Sequence, residues 1–147
     1  MSADHSARQR WMAVLARAPG VALADAAAGL VPAYSTLRGP EHGTVMIRGR
    51  AGGTGAAFNV GEATVTRCTV RSTAGYVGHA YCLGRDLAQA ELAAALDAAL
   101  QDPAQASAVE AAVVTPLAQV QAHQRRATAE RAAATQVQFF TLATMRS

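Results

Sequence analysis

Lysine is absent from this chain of 147 residues, and every basic side chain other than histidine is arginine. That absence excludes a lysine Schiff base, and it excludes the P-loop, whose lysine reaches the nucleotide phosphates. Large apolar side chains are scarce as well. Alanine supplies about half of the 51% hydrophobic content, beside one Trp, three Phe and a single Ile. Burying a large apolar side chain contributes roughly 1.5–3 kcal/mol, so the expected core is thin, with helices packed close together. A subunit whose apolar surface is completed by a partner has this composition. The two cysteines, Cys68 and Cys82, are too far apart for a C-x-x-C motif, which points to reduced thiols in a cytoplasmic protein. His5, His42, His79 and His123 show no metal-ligand spacing, so no metal site is expected. No apolar run reaches transmembrane length. Asp4, His5, Arg8, Arg10 and Arg17 interrupt the N-terminal stretch, so no signal-peptide core is expected.

What is present is a locally basic centre. Arg38, Arg48, Arg50, Arg67, Arg71 and Arg85 face only Glu41 and Glu62 in the same segment, within a net charge of +3. This balance suits an anionic small molecule or an acidic protein face. The density of arginine and aromatic residues is too low for a dedicated nucleic-acid binder.

Periodicity gives the organisation. Ser6 with Gln9 reads as a capping box before a helix whose stripe is Trp11, Val14, Leu15 and Ala18. Pro19-Gly20 stops it, and Val21 to Ala28 reads as a second short helix. Val31 to Leu37 reads as extended, and Gly39-Pro40-Glu41-His42-Gly43 as a turn or loop. Thr44 to Arg50, Phe58 to Val60, Ala63 to Arg71 and Tyr76 to Leu83 read as strands of an antiparallel meander. Asp86, with Gln89 three residues on, caps a helix marked by Leu92, Leu96 and Leu100. Asp102-Pro103 breaks it. Ala104 to Val114 reads as helix, Pro116 opens a polar, Ala-rich helix to about Thr135, and Val137 to Leu142 reads as a closing strand. The expectation is a single α+β domain over residues 1–147. It has one antiparallel sheet of about four to five strands, packed against N- and C-terminal helices.

The densest motif is Arg48-Gly49-Arg50-Ala51-Gly52-Gly53-Thr54-Gly55, leading into the Phe58–Arg67 stretch. Glycine lets backbone N–H groups approach an anion, and the arginine fork matches phosphate. Two readings stand side by side: a backbone nest for phosphate, and a glycine-rich hairpin loop between two strands. Arg48 and Arg50 share a face, as do Arg67 and Arg71. Register decides whether the two pairs meet. Cys68 or Cys82 would need a neighbouring base to act as a nucleophile, with His79 the nearest histidine in sequence, and buried inert thiols are the simpler reading. No complete catalytic constellation is visible, so no catalytic residue is assigned.

Several ordered blocks carry a family likeness. They are Arg8-Gln9-Arg10-Trp11-Met12 with Val14-Leu15-Ala16, Gly52-Gly53-Thr54-Gly55, and Phe58 through Cys68 with Val70-Arg71. Further on come Gly78-His79-Ala80-Tyr81, Gly84-Arg85-Asp86, Leu96 through Gln101, and Phe139-Phe140-Thr141. On these blocks the chain resembles the G-subunit family of the bacterial phosphonate carbon–phosphorus lyase system, with Gln138 where that family typically has Asp. The resemblance implies an accessory subunit that assembles in the cytoplasm with the H, I and J subunits. With the H, I and L subunits it would support transfer of the ribose triphosphate of ATP to an alkylphosphonate such as methylphosphonate, with adenine leaving. It implies that ATP and alkylphosphonate are substrates of the complex, that no cofactor is bound by this chain alone, and that the nucleosidase and radical iron–sulfur chemistries belong to the I and J subunits. In that setting Arg48, Arg50, Gly52, Gly53, Thr54, Gly55, Thr66, Arg67 and Arg71 are candidates for phosphate binding or subunit docking. The alternatives are a stand-alone binding module for a phosphorylated small molecule and a Cys-dependent hydrolase.

Overall fold

A computed structural model describes residues 2–136, with side chains from residue 6 onward. Helix α1 spans Ser2–Arg17, so Ser6, read as its cap, lies inside the helix instead; the helix and its end bury the expected stripe of Trp11, Val14, Leu15 and Ala18. Pro19 ends it, and the short α2, Gly20–Ala26, follows at once with Leu23 buried. The carbonyls left over at the end of α1 are met by a side chain: Gln89 Nε2 donates to Ala16 O at 3.3 Å and to Ala18 O at 2.6 Å.

The sheet has three strands among the described residues, β1 (Tyr34–Arg50), β2 (Ala57–Ser72) and β3 (Val77–Leu83), ordered β1-β2-β3 and antiparallel throughout. The expected count of four to five is corrected because segments read as separate merge. Gly39 to Gly43, read as a loop, lies inside β1. Pro40 lacks an N–H, but β1 is an edge strand, and its register shifts between Thr36 and Arg38 and again between Arg38 and Glu41. Bulges on an edge are where a strand tolerates proline. Likewise Phe58–Val60 and Ala63–Arg71 are one strand, with a shift opposite Ile47 and Arg48 that leaves Val60 as the extra residue. The proposed closing strand Val137–Leu142, with Gln138, lies outside the described residues.

Helix α3 (Leu87–Gln101) forms the centre of the core. Asp86 caps it as expected, accepting from Gln89 N at 2.9 Å. From Ala93 to Leu100 every side chain is buried, so the helix is covered on more sides than the Leu92-Leu96-Leu100 stripe alone conveys. Its alanines let β3 come close: a Cβ on Gly78 would stand 1.9 Å from Ala94 O. Cys68, Val70, Ala80 and Cys82 form the sheet's side of this core. A short α4 (Ala106–Val109) continues through a π-helical segment, Glu110–Val114, into α5 (Thr115–Ala134). Only the start of α5, at Leu117, is buried.

Candidate functional site

Strand lengths create the feature that sets the candidate site. β3 pairs with β2 only from Val65 to Arg71, whereas β1 follows β2 to Ala57. The stretch from Thr44 to Arg50 with Ala57 to Thr64 is therefore a two-stranded ribbon reaching past the third strand. Isolated two-stranded hairpins are marginally stable in water, and among the described residues this one is held through its continuity with the sheet.

The ribbon has two unlike faces. Alternation along β1 sets Val45 and Ile47 on one side, opposite Ala63 and Gly61, with Gly49 opposite Phe58. The bulged Val60 joins this side, where its Cγ2 lies 2.6 Å from the position a Cβ would take on Gly49. Ile47, Phe58 and Val60 are 47%, 50% and 60% exposed. The other side carries Thr44, Met46, Arg48 and Arg50, opposite Thr64, Glu62, Asn59 and Ala57. One face is apolar and open; the other is polar and basic.

The glycine-rich stretch is the hairpin loop at the ribbon's tip. Ala51–Gly53 makes a single 3₁₀ turn with Gly52 and Gly53 at φ of 61° and 79°, the left-handed region that glycine enters at little cost. The carbonyl of Ala51 accepts from the N–H groups of both Thr54 and Gly55, and Arg50 Nη1 donates to Gly55 O at 3.1 Å. The loop thus turns two of its N–H groups and one guanidinium N–H inward. Arg48 and Arg50 border a shallow open depression with Gly53 and Ala57.

Register answers whether the arginine pairs meet. Arg67 stands opposite Glu41, seven residues from Arg48 along β1, or about 23 Å at roughly 3.3 Å per residue. The pairs also occupy opposite sides of the sheet, since Glu41 and Arg48 differ in parity. Arg67 Nε donates to Glu41 Oε1 at 2.8 Å, and Arg38 Nε donates to the same oxygen. Arg38 first, then Arg67, hold the Glu41 carboxyl below its ordinary pKa. Tyr81 and then Glu41 keep the Arg67 guanidinium more basic than usual. Arg71 lies opposite Ser35 and Val77, exposed. Thr66 is on the helix-covered face, fully buried: its Oγ1 donates to Gly84 O at 2.8 Å. That leaves the same oxygen to accept from His42 Nδ1 at 3.2 Å, which fixes the ring tautomer with a proton on Nδ1.

The thiols are sealed. Cys68 and Cys82 are both buried, and burial above all pushes the Cys82 thiol up to about 11 and raises that of Cys68. His79 sits opposite Thr69, on the face away from both cysteines, and its Nδ1 meets Thr69 Oγ1 at 3.1 Å. It therefore cannot serve either thiol as a base. Among the described residues, no group of three or more His, Cys, Asp or Glu could hold a metal ion, and no helix is long and apolar enough to cross a membrane.

Sequence reasoning passed over Asp97, which the fold makes a hub. Only 1% exposed, it receives Arg8, Trp11 and the backbone N–H of His79. The available signal was a carboxylate set inside an alanine-rich apolar helix.

Residues 6–145 match the family model described as phosphonate metabolism protein PhnG. The alpha-D-ribose 1-methylphosphonate 5-triphosphate synthase subunit PhnG of Rhizobium meliloti (strain 1021) is 47% identical to this chain over 137 residues, covering 92% of this chain and 87% of that protein.

Proposed function

The chain belongs to the phosphonate metabolism protein PhnG family, and from that premise we propose that it is a non-catalytic subunit of alpha-D-ribose 1-methylphosphonate 5-triphosphate synthase that docks on its partners through the β1–β2 ribbon. The reaction is the transfer of the ribose triphosphate of ATP to methylphosphonate with loss of adenine, and both compounds are substrates of the assembly. The partners are the H, I and J subunits of the carbon–phosphorus lyase core complex, with the L subunit needed functionally, in the cytoplasm.

One observation carries the docking role: the open ribbon face of Val45, Ile47, Phe58 and Val60, which no helix of this chain covers among the described residues. Contiguous exposed apolar surface on a small protein marks an interaction site. A curated relative that is itself named a synthase subunit supplies the kind of occupant. The arginines of the opposite ribbon face point away from this patch and offer a second, basic contact surface to an acidic part of the partner.

The test is co-expression with the H, I and J subunits, comparing the natural chain with an Ile47→Asp, Phe58→Asp double variant. The natural chain co-purifies. The variant, altered at exposed positions, keeps its stability within about 0.5 kcal/mol and is lost from the complex. A variant that co-purifies as well as the natural chain overturns the docking role.

A further inference from the structure

The outer edge of β3 is finished over only half its length. Backbone groups of a strand alternate between its two edges. Gly84 N donates inward to Thr64 O at 2.9 Å, so the odd-numbered residues of β3 point their N–H and C=O groups away from β2. At the start of the strand two of those groups are met by side chains. Val77 O accepts from Arg8 Nη2 at 3.3 Å and from Gln101 Nε2 at 2.8 Å, and His79 N donates to Asp97 Oδ2 at 2.9 Å. Exposed strand edges are commonly blunted in this way. At Tyr81 and Leu83, among the described residues, nothing meets them.

Beside this open half runs a groove. Its far wall is the last turn of α1, with Ala13, Ala16, Arg17 and Ala18; its near wall is Tyr81 and Leu83, and its volume is about 480 Å³. A smaller cavity continues it past Met12 to His79. The wall is fixed in place, because Gln89 ties the Ala16 and Ala18 carbonyls from below. Leu83 is 74% exposed. Arg17 stands exposed at the groove with no ion pair among the described residues. A free edge, an apolar slot and one unmatched cation together specify an extended chain: main-chain groups pair with the edge, alternate side chains enter the slot, and a carboxylate reaches the arginine.

We infer that Tyr81–Leu83 accepts an extended, acid-bearing segment of a partner subunit as a fourth strand, with its carboxylate on Arg17. The inference rests on the subunit reading above but concerns a surface separate from the ribbon. The charge also selects among occupants. Residues 137–147 of this chain contain neither Asp nor Glu, so a side-chain carboxylate for Arg17 cannot come from them.

The experiment is amide hydrogen exchange on the full chain, alone and in the co-expressed H, I and J assembly, read at Tyr81 and Leu83, with the Gly84 amide as a reference already bonded. Both edge amides exchange fast in the free chain and slow by at least about tenfold on assembly. Arg17→Glu weakens assembly by about tenfold or more, and Arg17→Lys restores most of it. Edge amides that stay fast in an intact assembly overturn this inference and leave the ribbon reading standing. Amides already slow in the free chain identify an occupant from this chain itself and also overturn it. If nothing assembles, both readings fall.

Discussion

The indole N–H of Trp11 donates to Oδ1 of Asp97 at 2.9 Å, across the contact between α1 and α3. The same carboxylate takes Arg8 Nη2 on Oδ2 at 2.7 Å and Arg8 Nε on Oδ1 at 3.2 Å, and it accepts the His79 N–H at 2.9 Å. One buried side chain therefore joins the first helix, the central helix and the edge strand. Removing it strands an arginine and two further donors at once. Asp97→Ala should cost about 3–5 kcal/mol, the range for breaking a buried pair, while Trp11→Phe, which removes one donor and keeps most of the ring, should cost about 1 kcal/mol. Urea denaturation of the two variants gives the comparison. Equal losses would show that Asp97 is not the junction.

Gly78 sets how close β3 lies to α3. A methyl group at this position would fall 1.9 Å from Ala94 O and 2.7 Å from Ala98 N, both main-chain atoms that cannot turn aside. Gly78→Ala should destabilise the fold by about 2–3 kcal/mol through overpacking. Adding Ala94→Gly should restore none of it, because the clash is with backbone and not with the Ala94 methyl group. A urea midpoint close to that of the natural chain for the single variant would refute the close packing.

These examples show which parts of the fold were legible in the sequence. The helical stripes and stops were, because Trp11, Val14 and Leu15 or Pro19 act locally, but the start of α1 was not: the capping-box signal at Ser6 falls inside a helix that begins at Ser2. The Asp86 cap was legible for the same reason. Strand number was not. Gly39 and Pro40 carry the signals of a loop, and only the pairing of β1 along one side makes them tolerable inside a strand. At the candidate site, the contrast between the Arg48–Arg50 and Arg67–Arg71 pairs turns on register. The bulge at Val60 and the pairing of Arg67 with Glu41 have no local signature. Asp97 could be seen as a charge in an apolar helix, but its three partners come from distant segments.

Burial, with a smaller push from the Asp86 charge, raises the Cys82 thiol from its ordinary 9.0 to about 11. Below pH 9 the thiol is neutral in both folded and unfolded chains. Between about 9 and 11 the unfolded chain ionises first and binds fewer protons than the folded one. Stability should therefore fall with rising pH across that window, by up to about 1.4 kcal/mol per pH unit for this one group. Stability measured against pH for the natural chain and for Cys82→Ala isolates the contribution as the difference in slope. The folded protein should also resist iodoacetamide at pH 8 and react on unfolding. Parallel slopes, or fast alkylation of the folded chain, would contradict a sealed thiol.

Glu41 is held ionised by two arginines, with the Arg38 hydrogen bond the larger influence and the Arg67 bond next. Its folded pKa is depressed, so what the pair contributes is present above the ordinary carboxylate pKa and is lost as pH falls through the folded one. Arg38→Ala should move the Glu41 titration back toward the ordinary value by more than Arg67→Ala does. A carboxyl-carbon NMR titration reads this directly. The reverse order, or no movement in either variant, would mean that the cluster on the open sheet face does not form.

The two ribbon faces should leave different salt signatures on assembly. Arg48 and Arg50 lie on the polar side, opposite Asn59 and Ala57, and both side chains are exposed, where attraction to an acidic partner is screened over roughly 10 Å at 0.1 M salt and about 3 Å at 1 M. An Arg48→Glu, Arg50→Glu variant should therefore bind the partner subunits much more weakly than the natural chain at low salt, with the gap narrowing as salt rises. An Ile47→Asp, Phe58→Asp variant loses burial of apolar surface, which salt does not screen, so its deficit should persist at every salt concentration. Titrating the H, I and J subunits with each form across a salt series separates the two. If both variants lost affinity in parallel with salt, the division of the ribbon into an apolar face and a charged face would be wrong. If only the arginine variant lost affinity, the basic face would be the primary contact and the apolar face would need another occupant.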